Sequence, residues 1–134
     1  VAVRSRSRRQ REEGTSAIEL VLYMPLLMIA IIITVQFGLM YLGNQAVSAA
    51  AREASRSART TGDTAQGESR GRQYADDLGR GLLSDVDVDV ELVDDGSSVR
   101  AVVSADGQQL LPFIRSPRLS EEVEGPVEQF VEDE

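Results

Sequence analysis

The sequence predicts a membrane-anchored α+β protein: a long N-terminal helix crosses a bilayer and extends into a small exported part with a second helix and a short antiparallel β-sheet. Three observations predict this class: an uncharged apolar run from Leu20 to Leu42, alanines at helical spacing directly after it, and strict alternation from Asp85 to Leu92. The chain has 134 residues, and the 92 that follow Leu42 suffice for one compact unit. The expected organisation is a basic cytoplasmic leader over 1–14, a transmembrane helix over 15–42, an extended helix plus a second helix over 43–83, and a small antiparallel sheet with an acidic C-terminal tail over 84–134.

Charge orients this arrangement. Residues 1–16 carry five Arg (Arg4, Arg6, Arg8, Arg9 and Arg11) against two Glu, whereas residues 43–134 carry nine Arg against nineteen acids, a balance of -10. Short flanks rich in Arg stay in the cytoplasm, so these five arginines set the topology and place the acidic part outside. The expected location is the bacterial cytoplasmic membrane, single-pass, with the N-terminus inside and the C-terminal domain outside.

The run LVLYMPLLMIAIIITVQFGLMYL spans 23 residues without a formal charge. At ~1.5 Å per residue it exceeds a ~30 Å hydrocarbon layer, and it lacks the polar stripe of a globular core helix. Tyr23 and Tyr41 near its ends suit the headgroup level. A cleavable secretory signal is the competing reading, with Ala49-Ala50-Ala51 as a small-residue cleavage site, but a signal's apolar region is shorter and these alanines lie beyond it at helical spacing. Pro25 removes one backbone hydrogen bond inside the run, which predicts a kink or loosened turn over 21–25. Gln36, Gly38 and Gly43 form a polar or small cluster suited to close packing.

Ala46, Val47, Ala50, Ala51, Ala54 and Ala58 then recur at helical spacing, which carries the helix to about Arg59, where Gly62 and Asp63 end it. A second helix is expected from Thr64 to about Leu83, with Tyr74, Ala75, Leu78, Leu82 and Leu83 as its apolar edge and Gly67, Gly71, Gly79 and Gly81 weakening it. The alternation Asp85-Val86-Asp87-Val88-Asp89-Val90-Glu91-Leu92 is a half-buried strand with four aliphatics on one face. Asp94 to Ser97 reads as a turn, Ser98 to Ala105 as the returning strand, and Leu119 to Glu124 as a candidate third. From Glu121 onward the chain is acidic and is expected to fray at its end.

Composition excludes several functions. With neither Cys nor His, disulfides, thiolate metal sites and the commonest general base are missing, and no catalytic constellation can be assembled from carboxylates and hydroxyls on solvent faces. No catalytic residue, metal ligand or cofactor is therefore assigned. The row Asp85, Asp87, Asp89, Glu91 invites a calcium reading, but strand neighbours on one face lie ~6.6 Å apart and no calcium-loop motif accompanies them. A solvated strand face accounts for the row. The acidic domain would repel phosphates, so nucleic acid is not an expected partner.

The junction before the span carries the functional reading. Five arginines, then Gly14, Thr15 and Glu19 heading the apolar run, resemble a type IV prepilin leader: Gly in the last leader position, a small polar first mature residue, and Glu at mature position five. A Gly at the scissile position admits an extended backbone to an intramembrane active site without a side chain in the way. Gly14-Thr15-Ser16-Ala17-Ile18-Glu19-Leu20-Val21-Leu22, then Met24-Pro25-Leu26-Leu27, Gln36-Phe37-Gly38, Gln45-Ala46-Val47 and Ala50-Ala51-Arg52-Glu53-Ala54 resemble the TadE-like family, minor pilins of the tight-adherence, Flp-type IVb pilus system. Gly125 to Val131 is also similar to the ending of some family members, while Tyr23 takes a place usually aliphatic.

The resemblance implies a pilin-like architecture and a non-enzymatic minor pilin or pseudopilin, cut by a prepilin peptidase between Gly14 and Thr15. It further implies that Glu19 meets a neighbouring subunit's N-terminal amine during assembly. The implied partners are that peptidase, other tight-adherence pilus subunits, inner-membrane assembly proteins and the lipid membrane. The alternative is an uncleaved single-pass anchor displaying a small acidic extracytoplasmic interaction domain.

Overall fold

The structure is a computed structural model that describes the backbone of residues 4–129 and the side chains of residues 16–129. It has long α1 (Arg4–Thr61), α2 (Thr64–Leu78), and three strands, β1 (Leu83–Val93), β2 (Ser98–Gly107) and β3 (Arg118–Pro126), in an antiparallel sheet of order β1-β2-β3. The chain divides into two units, Val1–Val35 and Gln36–Glu134. Among the described residues, the first is helix alone and the second holds the rest of α1 and every other element.

Within the second unit, the alanine stripe does what its spacing predicts. Val47, Ala50, Ala51, Ala54 and Ala58 are buried in one core with Ala75 of α2 and with Val88, Val90, Val99, Ala101, Val103 and Ala105 of the sheet. Small side chains let the helix backbone come close to its neighbours, so the core is thin and tightly apposed. At Gly43 an added Cβ would lie 3.0 Å from a Leu119 methyl and 3.3 Å from one of Leu83. Gly38, expected to pack in the same way, has nothing within 4 Å.

Helix α1 stops where expected. Gly62 takes φ +70, a left-handed conformation that glycine adopts without a Cβ penalty, and its N–H donates to the carbonyl of Ala58 at 2.8 Å. Asp63 caps α2, its Oδ1 accepting from the N–H groups of Ala65 at 2.9 Å and Gln66 at 3.3 Å.

Helix α2 differs from its expected form in two ways. It ends at Leu78, and the buried residues along it are Gly67, Gly71 and Ala75 rather than the larger apolar side chains. Tyr74 and Leu78 are 39% and 50% exposed, and Leu78 and Leu82 line an open groove with Leu42, Ala46 and Ala49 of α1. The reason is proximity: Cβ atoms at Gly67 and Gly71 would fall 2.8 Å and 2.7 Å from those of Ala58 and Ala54. Only the glycine face can approach the alanine face this closely, so the leucines are turned aside.

In the sheet, β2 alternates strictly, with Val99, Ala101, Val103, Ala105 and Gly107 buried. Strand β1 does so less regularly. Val88 and Val90 are buried and Val86 is half-buried, but Leu92, expected on the same inner row, is 49% exposed. A register shift between Ser84 and Asp87 and a positive φ of 49 at Asp85 mark a bulge near the start of the strand. Asp94–Gly96 forms a single 3-10 turn between β1 and β2.

The expected third strand over Leu119 to Glu124 is present as part of β3 and runs on to Pro126, while the end of the acidic tail lies outside the described residues. Strand β3 lies at the sheet edge opposite β1, with half-buried Glu121 on the inner row opposite Val103. An inward carboxylate on an edge strand discourages pairing with another chain. Arg59 fixes the strand's end to α1: its Nε donates to the carbonyl of Pro126 at 2.9 Å, and its own carbonyl accepts from the N–H of Glu128 at 3.2 Å.

Candidate assembly site on the N-terminal helix

The expected site residues all lie on α1, which runs helically through Gly14, Thr15 and Glu19 and past Pro25. Of Arg4, Arg6, Arg8, Arg9, Arg11, Gly14 and Thr15 only the backbone is described, so their surroundings lie outside the described residues. Pro25 has no N–H to give the carbonyl of Val21, so one helical bond is missing at the expected place. Glu19 is exposed, and every ion pair among the described residues lies beyond Arg52, so Glu19 has no salt-bridge partner there.

Around Glu19 the helix is bare apolar surface. Ile18, Leu20, Val21, Leu22, Leu26 and Leu27 are each more than half exposed. The stretch contains the one candidate membrane span among the described residues, within Ser16–Thr61, with a mean hydropathy of 2.5 and none of that window buried. Monomeric soluble proteins rarely expose so long an apolar surface, which marks membrane or protein contact. Thr34 keeps even its hydroxyl satisfied within the helix, donating to the carbonyl of Ala30 at 2.8 Å.

Farther along the chain, Gln36 performs a task its sequence context does not announce. Its Nε2 donates to the carbonyl of Gln108 at 2.8 Å and its Oε1 accepts from the N–H of Leu110 at 2.9 Å. One side-chain amide thus pairs with the loop between β2 and β3 as a strand neighbour would. The two partners are more than seventy residues away, so no local pattern could have revealed them.

The outer face of the sheet is an ion-pair lattice. Arg100 on the middle strand reaches Glu91 at 3.1 Å on β1 and Glu122 and Glu124, each at 3.2 Å, on β3. Hydrogen bonds that Arg100 donates, to Glu124 first and Glu91 second, raise its pKa above the ordinary value. Arg118 bridges Asp106 and Asp85, each at 3.1 Å, and its pKa is likewise raised, chiefly by its hydrogen bond with Asp106. Among the described residues no group of three or more His, Cys, Asp or Glu is gathered as a metal ion would require. Two members of the acidic row, Asp85 and Glu91, are engaged by arginines instead.

An uncovered apolar helix feeding a small α+β head defines a membrane-anchored, single-pass, pilin-like protein. Residues 14–56, about a third of the chain, match the family model for TadE-like protein, so this stretch of α1 is similar to that family. No curated protein and no solved structure matches the chain.

Proposed function

We propose that the chain is a minor pilin or pseudopilin of a tight-adherence pilus, processed by a prepilin peptidase after Gly14 and acting in pilus assembly at the bacterial cytoplasmic membrane. The observation that carries this reading is the match over residues 14–56, which begins at Gly14 and includes Glu19 and the whole span. In this reading residues 1–14 form the cytoplasmic leader, 15–42 the membrane segment, and 43–134 the exported head.

The role of each residue follows from its chemistry. The five arginines hold the leader on the cytoplasmic side, and Gly14 leaves the scissile peptide unobstructed. Cleavage creates a free amine at Thr15. A carboxylate such as Glu19 is costly at the membrane edge unless paired, and a neighbouring subunit's amine is a partner of opposite charge at matching depth. Pro25 loosens the turn just above, easing adjustment of the helix as subunits pack. A peptidase, further pilus subunits and inner-membrane assembly proteins are the partners of such a protein.

One observation favours the alternative of an uncleaved anchor: α1 is helical through Gly14 and Thr15, and a peptidase would have to unwind this turn. The two readings separate in a pilus-bearing host lacking its own copy of the gene. Complementation with Glu19→Ala should yield a processed chain with strongly reduced pilus assembly, while Glu19→Asp should restore part of it. Full piliation with Glu19→Ala would overturn the pairing role.

A further inference from the structure

We propose that the loop between β2 and β3, residues 108–117, dips into the outer part of the same bilayer that α1 spans, making the head a second, shallow membrane contact. The proposal rests on the membrane-spanning reading of α1.

Depth comes first. Gln36 lies inside the uncharged run and six residues before its end at Leu42, about 9 Å along the helix axis. Its paired hydrogen bonds to Gln108 and Leu110 hold the loop at that level. Phe37 and Tyr41 on the same stretch of helix are 66% and 65% exposed, so the surroundings of the clamp are themselves apolar surface.

The loop's own chemistry is that of a segment built to leave water. Phe113 is 95% exposed, Ile114 and Leu110 are 55% and 43% exposed, and none of the three belongs to the head's core. Irregular backbone survives at membrane depth only if its polar groups find partners. Part of this backbone is paired: besides the Gln36 clamp, the Nε2 of Gln109 donates to the carbonyls of Leu111 and Ile114, and the N–H of Ile114 donates to the carbonyl of Leu111 at 3.3 Å. Pro112 has no N–H to satisfy. Arg115 follows the apolar tip and is exposed, long enough to reach back to acidic headgroups. A loop meant for water would need neither a buttressed backbone nor a bare phenylalanine.

The absence of cysteine makes the test direct. Single variants Met28→Cys, Ser69→Cys and Phe113→Cys of the full chain, each spin-labelled, are reconstituted in phosphatidylethanolamine and phosphatidylglycerol vesicles. Collision with oxygen and with a water-soluble nickel chelate is then measured. Phe113 is almost fully exposed, so its replacement disturbs no packing. The Phe113 label should be oxygen-accessible and several-fold less nickel-accessible than the Ser69 label. A Phe113 label as open to nickel as Ser69, with Met28 still protected, overturns the loop proposal and leaves the span intact. Nickel access at Met28 overturns both. Protection of the Phe113 label from both reagents would mean that a protein neighbour, such as another subunit, covers the loop, and would also overturn the proposal.

Discussion

Gly71 of α2 faces Ala54 of α1 so closely that a Cβ on the glycine would stand 2.7 Å from the alanine's, and 3.1 Å from a methyl of Val88. The contact between the two helices is therefore a backbone-to-methyl contact, and neither partner can grow. Alanine is the better helix former by about 1 kcal/mol, but forcing a methyl into a packed interface costs ~1–3 kcal/mol. Gly71→Ala should lower stability by about 1 kcal/mol, read as a lower melting temperature of the head in detergent. Gly38→Ala, with open space around it, should not.

The cap of α2 is a separate contribution. Asp63→Ala removes the acceptor for the N–H groups of Ala65 and Gln66 and should destabilise the head by about 1 kcal/mol. Asp63→Asn, which keeps the acceptor, should restore most of it in the same melting experiment.

Arg100 gathers three carboxylates, Glu91, Glu122 and Glu124, on the outer face. Arg100→Gln leaves them side by side without a cation, so the variant should melt lower at low ionic strength and recover toward the parent as salt is added. Because the arginine pKa is raised, its contribution is present at neutrality and, on the alkaline side, is lost only as the pH rises through the folded arginine pKa. The parent should show no loss of this contribution near neutrality in melting curves recorded across that range.

The Gln36 clamp makes a kinetic prediction. Gln36→Leu removes two hydrogen bonds, each contributing about 1 kcal/mol, and should raise the rate of tryptic cleavage after Arg115 in detergent about thirtyfold. An unchanged rate would show that the loop is held by other contacts.

The parts of the fold visible in the sequence are those whose signal is local. The alanine stripe after Leu42 carries helical period, and β1 and β2 carry period two on either side of a turn, so α1 and the hairpin can be read directly. Helix α2 was harder because its packing residues are glycines, which lower helix propensity and register no hydrophobicity; their role exists only opposite Ala54 and Ala58. Leu78 and Tyr74 offered the stronger apolar signal and proved exposed. The inward Glu121, the bulge at Asp85 and the reach of Gln36 to Leu110 all depend on pairings far apart in the chain. The junction Gly14-Thr15 with Glu19 stood out by spacing and context, and the family match begins at that glycine.

The most direct measurement is the intact mass and N-terminal sequence of the membrane-extracted chain, produced with and without a prepilin peptidase of a tight-adherence system. The account predicts that the enzyme converts the chain to a form beginning at Thr15, and that a bulky replacement of Gly14 blocks the conversion. A chain that keeps the residues before Thr15 in the presence of an active peptidase, verified on a known substrate, would contradict it.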